Sequence, residues 1–133
     1  MSTANLQLAR DAYDAFGRGD IESVLGMLDE NVAWHVPDVV PHGRTASGRE
    51  EVAGFFQNLA ATWDEFGPLE FDDISAAGDH VYAVGTAHGT YEGERTSYGF
   101  VHVWTVTDGA CARFDEYVDP ARALYADRSA SAR

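Results

Sequence analysis

The chain has 133 residues with 22 acidic against 9 basic side chains, a net charge of −13, and every base is an arginine. Without lysine there is no Schiff base, no pyridoxal phosphate anchor and no P-loop lysine, and so few bases give no basic stripe for nucleic acid or an anionic membrane surface. The lone Cys111 excludes an internal disulfide and a Cys-rich zinc module, no apolar run reaches the ~18 residues of a membrane span, and the N-terminus lacks a signal-peptide core, so the expectation is one soluble, cytoplasmic domain.

In chain order, Leu6, Ala9, Tyr13 and Phe16 recur at helical spacing, with Ser2, Thr3 or Asn5 as caps. Gly17-Arg18-Gly19-Asp20 ends that helix and caps a shorter one carrying Ile21, Val24, Leu25 and Leu28. Asn31 to Pro37 reads as a strand ended by proline. Residues 37–48, with Pro37, Pro41, Gly43 and Gly48, read as a loop. Ser47-Gly48-Arg49-Glu50 has the capping-box pattern. It opens a third helix with Val52, Phe55, Phe56, Leu59 and Trp63 on one face, ending near Gly67-Pro68. The period then changes to two. Leu69 to Ala77, His80 to Tyr91, Thr96 to Thr107 and Ala110 to Val118 read as strands, with turns at Gly78-Asp79, Gly93-Glu94 and Asp108-Gly109. A short helix after Pro120 completes one domain over residues 1–127, and residues 128–133 form a frayed tail. Helices first and strands second predict an α+β fold, its mixed but mostly antiparallel sheet curled beneath three helices on its concave face.

The chemistry on offer is narrow. No G-x-S-x-G, dinucleotide fingerprint, Walker A or H-E-x-x-H pattern occurs. The histidines are scattered, and a set such as His35, His102 and Glu116 gathered in space is the open metal alternative to an expectation of no metal and no cofactor. What remains is histidine and carboxylate chemistry. His102 sits among large apolar residues, and Glu116 follows Phe114 at strand period where an inward apolar residue is expected. A carboxyl in a dry pocket holds its proton more tightly, and an adjacent histidine can share or relay it. His102 and Glu116 are therefore the candidate general acid–base pair. Geometry decides whether they meet. A regular two-residue turn at Asp108-Gly109 sets His102 opposite Asp115 and turns Glu116 to the other face. A three-residue loop, or a bulge with the same effect, puts His102 and Glu116 on one side. Tyr13, Trp34, His35, Phe56, Trp63 and Trp104 are the candidate pocket residues, against a plain core role for each. Arg113, Asp115 and Asp119 read as an outer-face salt-bridge set, Cys111 as a strand filler, and His42, His80 and His88 carry no assigned role.

The runs Tyr13-Asp-Ala-Phe16-Gly-Arg-Gly19-Asp20, Leu28-Asp-Glu-Asn31-Val-Ala-Trp34-His35-Val-Pro37 and Gly48-Arg-Glu-Glu-Val52-Ala-Gly-Phe55-Phe56 point beyond composition, as does the ending from His102 through Asp108-Gly109 to Arg113-Phe-Asp-Glu116-Tyr117. Together they resemble the SnoaL-like, ketosteroid-isomerase-related branch of the nuclear transport factor 2-like superfamily over about residues 8 to 120. The resemblance implies a cone-shaped, cystatin-like fold and a homodimer formed through the sheet. The position of the steroid isomerases' base falls on Val36, and that of their helix-one tyrosine on Ala12. The last-strand aspartate of limonene epoxide hydrolase matches Glu116, while its middle-strand Arg and Asp fall near Gly85 and Ala87. The polyketide cyclases of the group pair a histidine with a last-strand carboxylate fourteen residues later, the separation of His102 and Glu116. The expected function is cofactor-independent acid–base chemistry of isomerase, cyclase or hydratase/hydrolase type on a small apolar or carbonyl-bearing molecule. Glu116 would be base or acid, and His102 its partner or the donor to an oxyanion. The alternative is a non-catalytic ligand-binding or dimerisation module of the same fold.

Overall fold

The computed structural model describes residues 2–118. Asp119, the helix expected after Pro120 and the tail over 128–133 lie outside the described residues.

Helix α1 (Ser2–Gly17) lays Ala9, Ala12 and Ala15, each almost fully buried, against the rest of the fold. These small residues let the helix approach closely, while Tyr13 and Phe16 reach past them to pack on the core. The chain reverses through Gly19 at φ +74, and Asp20 caps α2 (Ile21–Gly26), accepting from the Ser23 N–H and Ser23 Oγ. Strand β1 (Leu28–Val36) alternates Val32, Trp34 and Val36 inward. Strand β2 (Arg44–Ser47) lies in the segment expected to be loop and pairs antiparallel with β1. It is an edge strand with only Ala46 buried, too short for alternation to announce it. Helix α3 (Gly48–Thr62) buries Val52, Phe55, Phe56 and Leu59. Its start differs from the expected capping box: the Ser47 side chain makes no cap bond, and Glu51 rather than Glu50 reaches back to accept from the Ser47 N–H at 2.9 Å.

The third helix stops at Thr62, not near Gly67-Pro68, because Trp63 is already extended (φ −98, ψ 143). Trp63 is buried as its spacing implies, but it is buried from an extended backbone. Strand β3 (Glu65–Ala77) then runs through Gly67-Pro68 at the sheet edge, where a proline costs no ladder bond on its open side. Strands β4 (His80–Tyr91), β5 (Glu94–Thr107) and β6 (Ala110–Tyr117) follow. The β4–β5 turn sits on Glu92-Gly93, one residue earlier than expected, with both residues at positive φ. The sheet order is β2-β1-β6-β5-β4-β3; β1 and β6 run parallel and every other neighbour pair is antiparallel. This is the mixed, mostly antiparallel α+β architecture the sequence predicts. The core lies between the helices and the inward faces of β1, β4, β5 and β6.

Candidate active site

The last hairpin decides the site. Asp108 (φ 52) and Gly109 (φ 79) make a two-residue turn of the I′ kind, pairing Thr107 with Ala110 and Val106 with Cys111. Continued regularly, this register would set His102 against Asp115. Instead the pairing shifts, Thr105 faces Arg113, and Ala112 is left as the extra residue of a β-bulge. From there on Trp104 pairs with Phe114 and His102 with Glu116. The tight turn and the bulge coexist, and the two candidate residues stand directly opposite each other on the inner face.

His102 Nε2 and Glu116 Oε1 are 2.7 Å apart, and both residues are 5 % exposed. On its other side His102 Nδ1 is 2.6 Å from Tyr13 Oη, and the Trp104 indole N–H donates to that same oxygen at 2.9 Å. The protons can be placed. An indole nitrogen only donates, so Tyr13 Oη accepts from Trp104. Burial pushes the Tyr13 hydroxyl far above its ordinary range, with Glu116 adding to the effect, so it keeps its proton. That proton points to His102 Nδ1, which leaves His102 Nε2–H to donate to the Glu116 carboxylate. His102 is wedged between rings, stacked 4.1 Å from Phe100 and tilted against Phe114 at 4.8 Å. With both ring nitrogens bonded, it has no N–H left for a substrate oxygen. Among the described residues, Glu116 Oε2 and Trp34 Nε1 are the buried side-chain polar atoms without a hydrogen-bond partner.

A cavity of about 70 Å³ lies beside them. Tyr13, Trp34, Phe56, His102, Trp104 and Glu116 all line it. It opens toward a wider cleft of about 880 Å³ between the ends of α1 and α3 and the start of β3, and Tyr13, Phe16, Phe56, Leu59, Phe66 and Leu69 face both spaces. Two pocket expectations need correction. His35 alternates with Trp34 and Val36 on β1, so it points to the opposite face and bonds Thr45 Oγ1 at 2.9 Å. That also separates it from His102 and Glu116, and no set of three or more metal-ligating side chains forms among the described residues. Trp63 lines the outer cleft rather than the inner cavity.

Trp63 instead fixes a residue that received no role from the sequence. Its indole N–H donates to His42 Nδ1 at 3.0 Å, so the neutral His42 ring carries its proton on Nε2. His42 is 3 % exposed, lines the cavity, and is pushed down to about 4 by burial. The turns that aim it inward are bonds from the Val40 N–H to Pro37 O and from the Gly43 N–H to Val40 O. A Cβ at residue 43 would collide with Pro37 O, which is why a glycine stands there. Tyr98 also lines the cavity, its hydroxyl held protonated by burial and by Glu116. On the outer face Arg113 forks onto Asp115 at 2.7 and 3.0 Å, as expected of that pair, and this holds the guanidinium above its usual range.

The model of the SnoaL-like domain matches residues 9–114. The chain belongs to the SnoaL-like domain family. Among solved structures, this SnoaL-like chain is similar to an NTF2-like protein of unknown function from Burkholderia pseudomallei, with 31% identity, 95% of this chain and 98% of that one covered, and a TM-score of 0.83. The fold is shared with an epoxide hydrolase of the LEH-like type from M. tuberculosis (16% identity, 98% and 94% covered, TM-score 0.80). It is shared also with a candidate polyketide cyclase from Xanthomonas campestris (24% identity, 95% and 96% covered, TM-score 0.76). No curated protein matches the sequence. This SnoaL-like fold therefore has enzymes among its carriers, and no helix among its described residues is long and apolar enough to cross a membrane.

Proposed function

We propose that this SnoaL-like protein is an enzyme that moves a proton on a small, neutral, carbonyl-bearing molecule held in the cavity, with Glu116 as base and then acid. One observation carries the reading: a buried carboxyl group on the wall of an apolar cavity, with one oxygen held by His102 and the other without a hydrogen-bond partner among the described residues. A buried carboxyl oxygen left without a partner is costly unless it has work to do. Oε2 takes a proton from the carbon beside the carbonyl, the C–H electron pair forms the C=C bond, and the carbonyl π pair moves onto oxygen. Returning that proton to the same or a conjugated carbon regenerates the carboxylate and gives isomerisation. Attack of the enolate carbon on a second carbonyl, whose π pair moves onto its oxygen and takes the proton back from Glu116, gives aldol-type cyclisation and regenerates the carboxylate. His102 positions the carboxylate through Nε2–H, and Tyr13 positions His102. Asp14, Asp64 and Glu65 edge the outer cleft and disfavour anionic substrates.

We propose further that the protein is a cytoplasmic homodimer. The outward row Val84, Val101 and Tyr117, aligned across three strands and exposed, supplies the apolar contact. The test of the chemistry is exchange of α-protons of a panel of small ketones in D2O, followed by NMR. Glu116→Gln should slow exchange by about 10²-fold or more, and His102→Ala by a smaller factor. Full activity in both folded variants, or no acceleration by the wild type with any ketone, refutes the assignment.

A further inference from the structure

The proposed base accounts for one of the two unpartnered buried side-chain polar atoms among the described residues and leaves the other. Trp34 is 4 % exposed, stacks at 4.1 Å on Phe114, and meets Phe55, Phe56 and Trp104 edge to face. These ring contacts are apolar, and its indole N–H has no hydrogen-bond partner among the described residues. The other two tryptophans are different: Trp63 donates to His42 and Trp104 to Tyr13. A buried donor left unmade costs more than the bond would give, so native proteins retain few of them without a reason. Trp34 and Glu116 both line the cavity. The register fixes their relation. Trp34 pairs with Phe114 and His35 with Asp115, so Trp34 stands one strand across from Glu116 and two residues back along it, a Cα separation of about 8 Å.

We infer that the Trp34 indole N–H is the hydrogen-bond donor that recognises the substrate's oxygen, so that the cavity selects ketones and related carbonyl compounds over hydrocarbons of the same shape. A molecule between the two residues would present its carbonyl oxygen to Trp34 and its adjacent C–H to Glu116. The donor is neutral at every pH, so it favours an oxygen without binding carboxylates as a cation would. His42, neutral with its proton on Nε2, is a second donor on the same cavity wall. This inference deepens the proposed function and rests on it for the role of Glu116, but the recognition of an oxygen can be tested without turnover.

The probes are cyclopentanone and methylenecyclopentane, which differ by C=O against C=CH2. Wild-type protein is titrated with each and the indole N–H cross-peaks are followed by ¹H–¹⁵N NMR. Three tryptophans give three such peaks. The Trp34 peak should move downfield with the ketone and not with the hydrocarbon, and the ketone should bind about 3- to 10-fold more tightly. In Trp34→Phe that preference should vanish while hydrocarbon binding persists. The wild-type titration stands on its own where Trp34→Phe does not fold. Ketone binding no tighter than hydrocarbon binding in the wild type, or an unmoved Trp34 peak, overturns the inference. Glu116→Gln separates the two readings: it should keep the ketone preference and lose proton exchange. A variant that keeps both refutes the base and leaves the donor standing.

Discussion

Replacing Tyr13 by phenylalanine removes one oxygen and two hydrogen bonds while leaving the ring. The oxygen is 2.6 Å from His102 Nδ1 and 2.9 Å from the Trp104 indole nitrogen. In the variant Trp104 keeps a buried donor with no acceptor, and His102 Nδ1 loses its proton donor. Each orphaned neutral group costs about 1–3 kcal/mol. Water from the neighbouring cavity can reach part of the gap, since a space of about 70 Å³ holds several waters. The expected loss is therefore about 2–3 kcal/mol rather than the full sum. In urea this lowers the unfolding midpoint by about 1–2 M at an m-value near 1.5 kcal/mol/M. Proton exchange on ketones should fall by about 10-fold, because His102 is then free to carry its proton on either nitrogen and no longer always donates to Glu116. The pH–rate profile should also move, which a purely structural tyrosine would not cause. A folded Tyr13→Phe protein within about 0.5 kcal/mol of wild type, with an unchanged profile, refutes the proton assignment along Trp104, Tyr13, His102 and Glu116.

His42 titrates at about 4 when folded and near 6.5 when free, so the unfolded chain binds the extra proton between those values and stability falls as pH drops through that window. By pH 5 wild type should lose about 2 kcal/mol more than His42→Gln, measured by urea unfolding at pH 7.5 and 5; equal losses would show that His42 is not held neutral by burial. Cys111 is buried, and its thiol is pushed up to about 12, mainly by desolvation. Iodoacetamide at pH 8 should leave it unmodified in the native protein and alkylate it at the rate of unfolding, so fast native labelling counts against its placement. If the proposed dimer forms through the outer face, wild type should sediment as a dimer and Val101→Arg as a monomer, with a change in folding stability no greater than that of dissociation; a monomeric wild type, or a dimer unaffected by the charge, refutes that interface.

Much of this was legible in the residues, for reasons that also mark the boundary. Helical spacing found the faces of α1 and α3, and period two found β3 to β6, because burial repeats with the backbone. Trp63 shows the limit: its burial was correct and its backbone was not, since an apolar residue four positions after Leu59 fits a helix or an extended chain folding back. His102 and Glu116 stood out as polar residues at apolar positions. His42 did not, because its inward aim comes from turns in a proline- and glycine-rich segment with no period to break. His35 was misplaced for the opposite reason. It sits beside Trp34, and neighbours on a strand face opposite ways. The unmade bond on Trp34 belongs to three-dimensional packing and has no trace in the sequence.

The bulge at Ala112 has a consequence for how this hairpin tolerates change in length. Asp115 and Glu116 are adjacent carboxylates with opposite fates: one neutralised outside by Arg113, the other held inside by a histidine. The offset of one residue assigns them, and Ala112 supplies it without contributing a side chain to either. A chain lacking Ala112 could run as an unbroken ladder from the same turn and still bring Glu116 opposite His102. One residue lost or gained beyond Arg113 would exchange the two acids. Counting residues back from the acid to the turn therefore misleads in relatives of this hairpin unless the bulge is counted too.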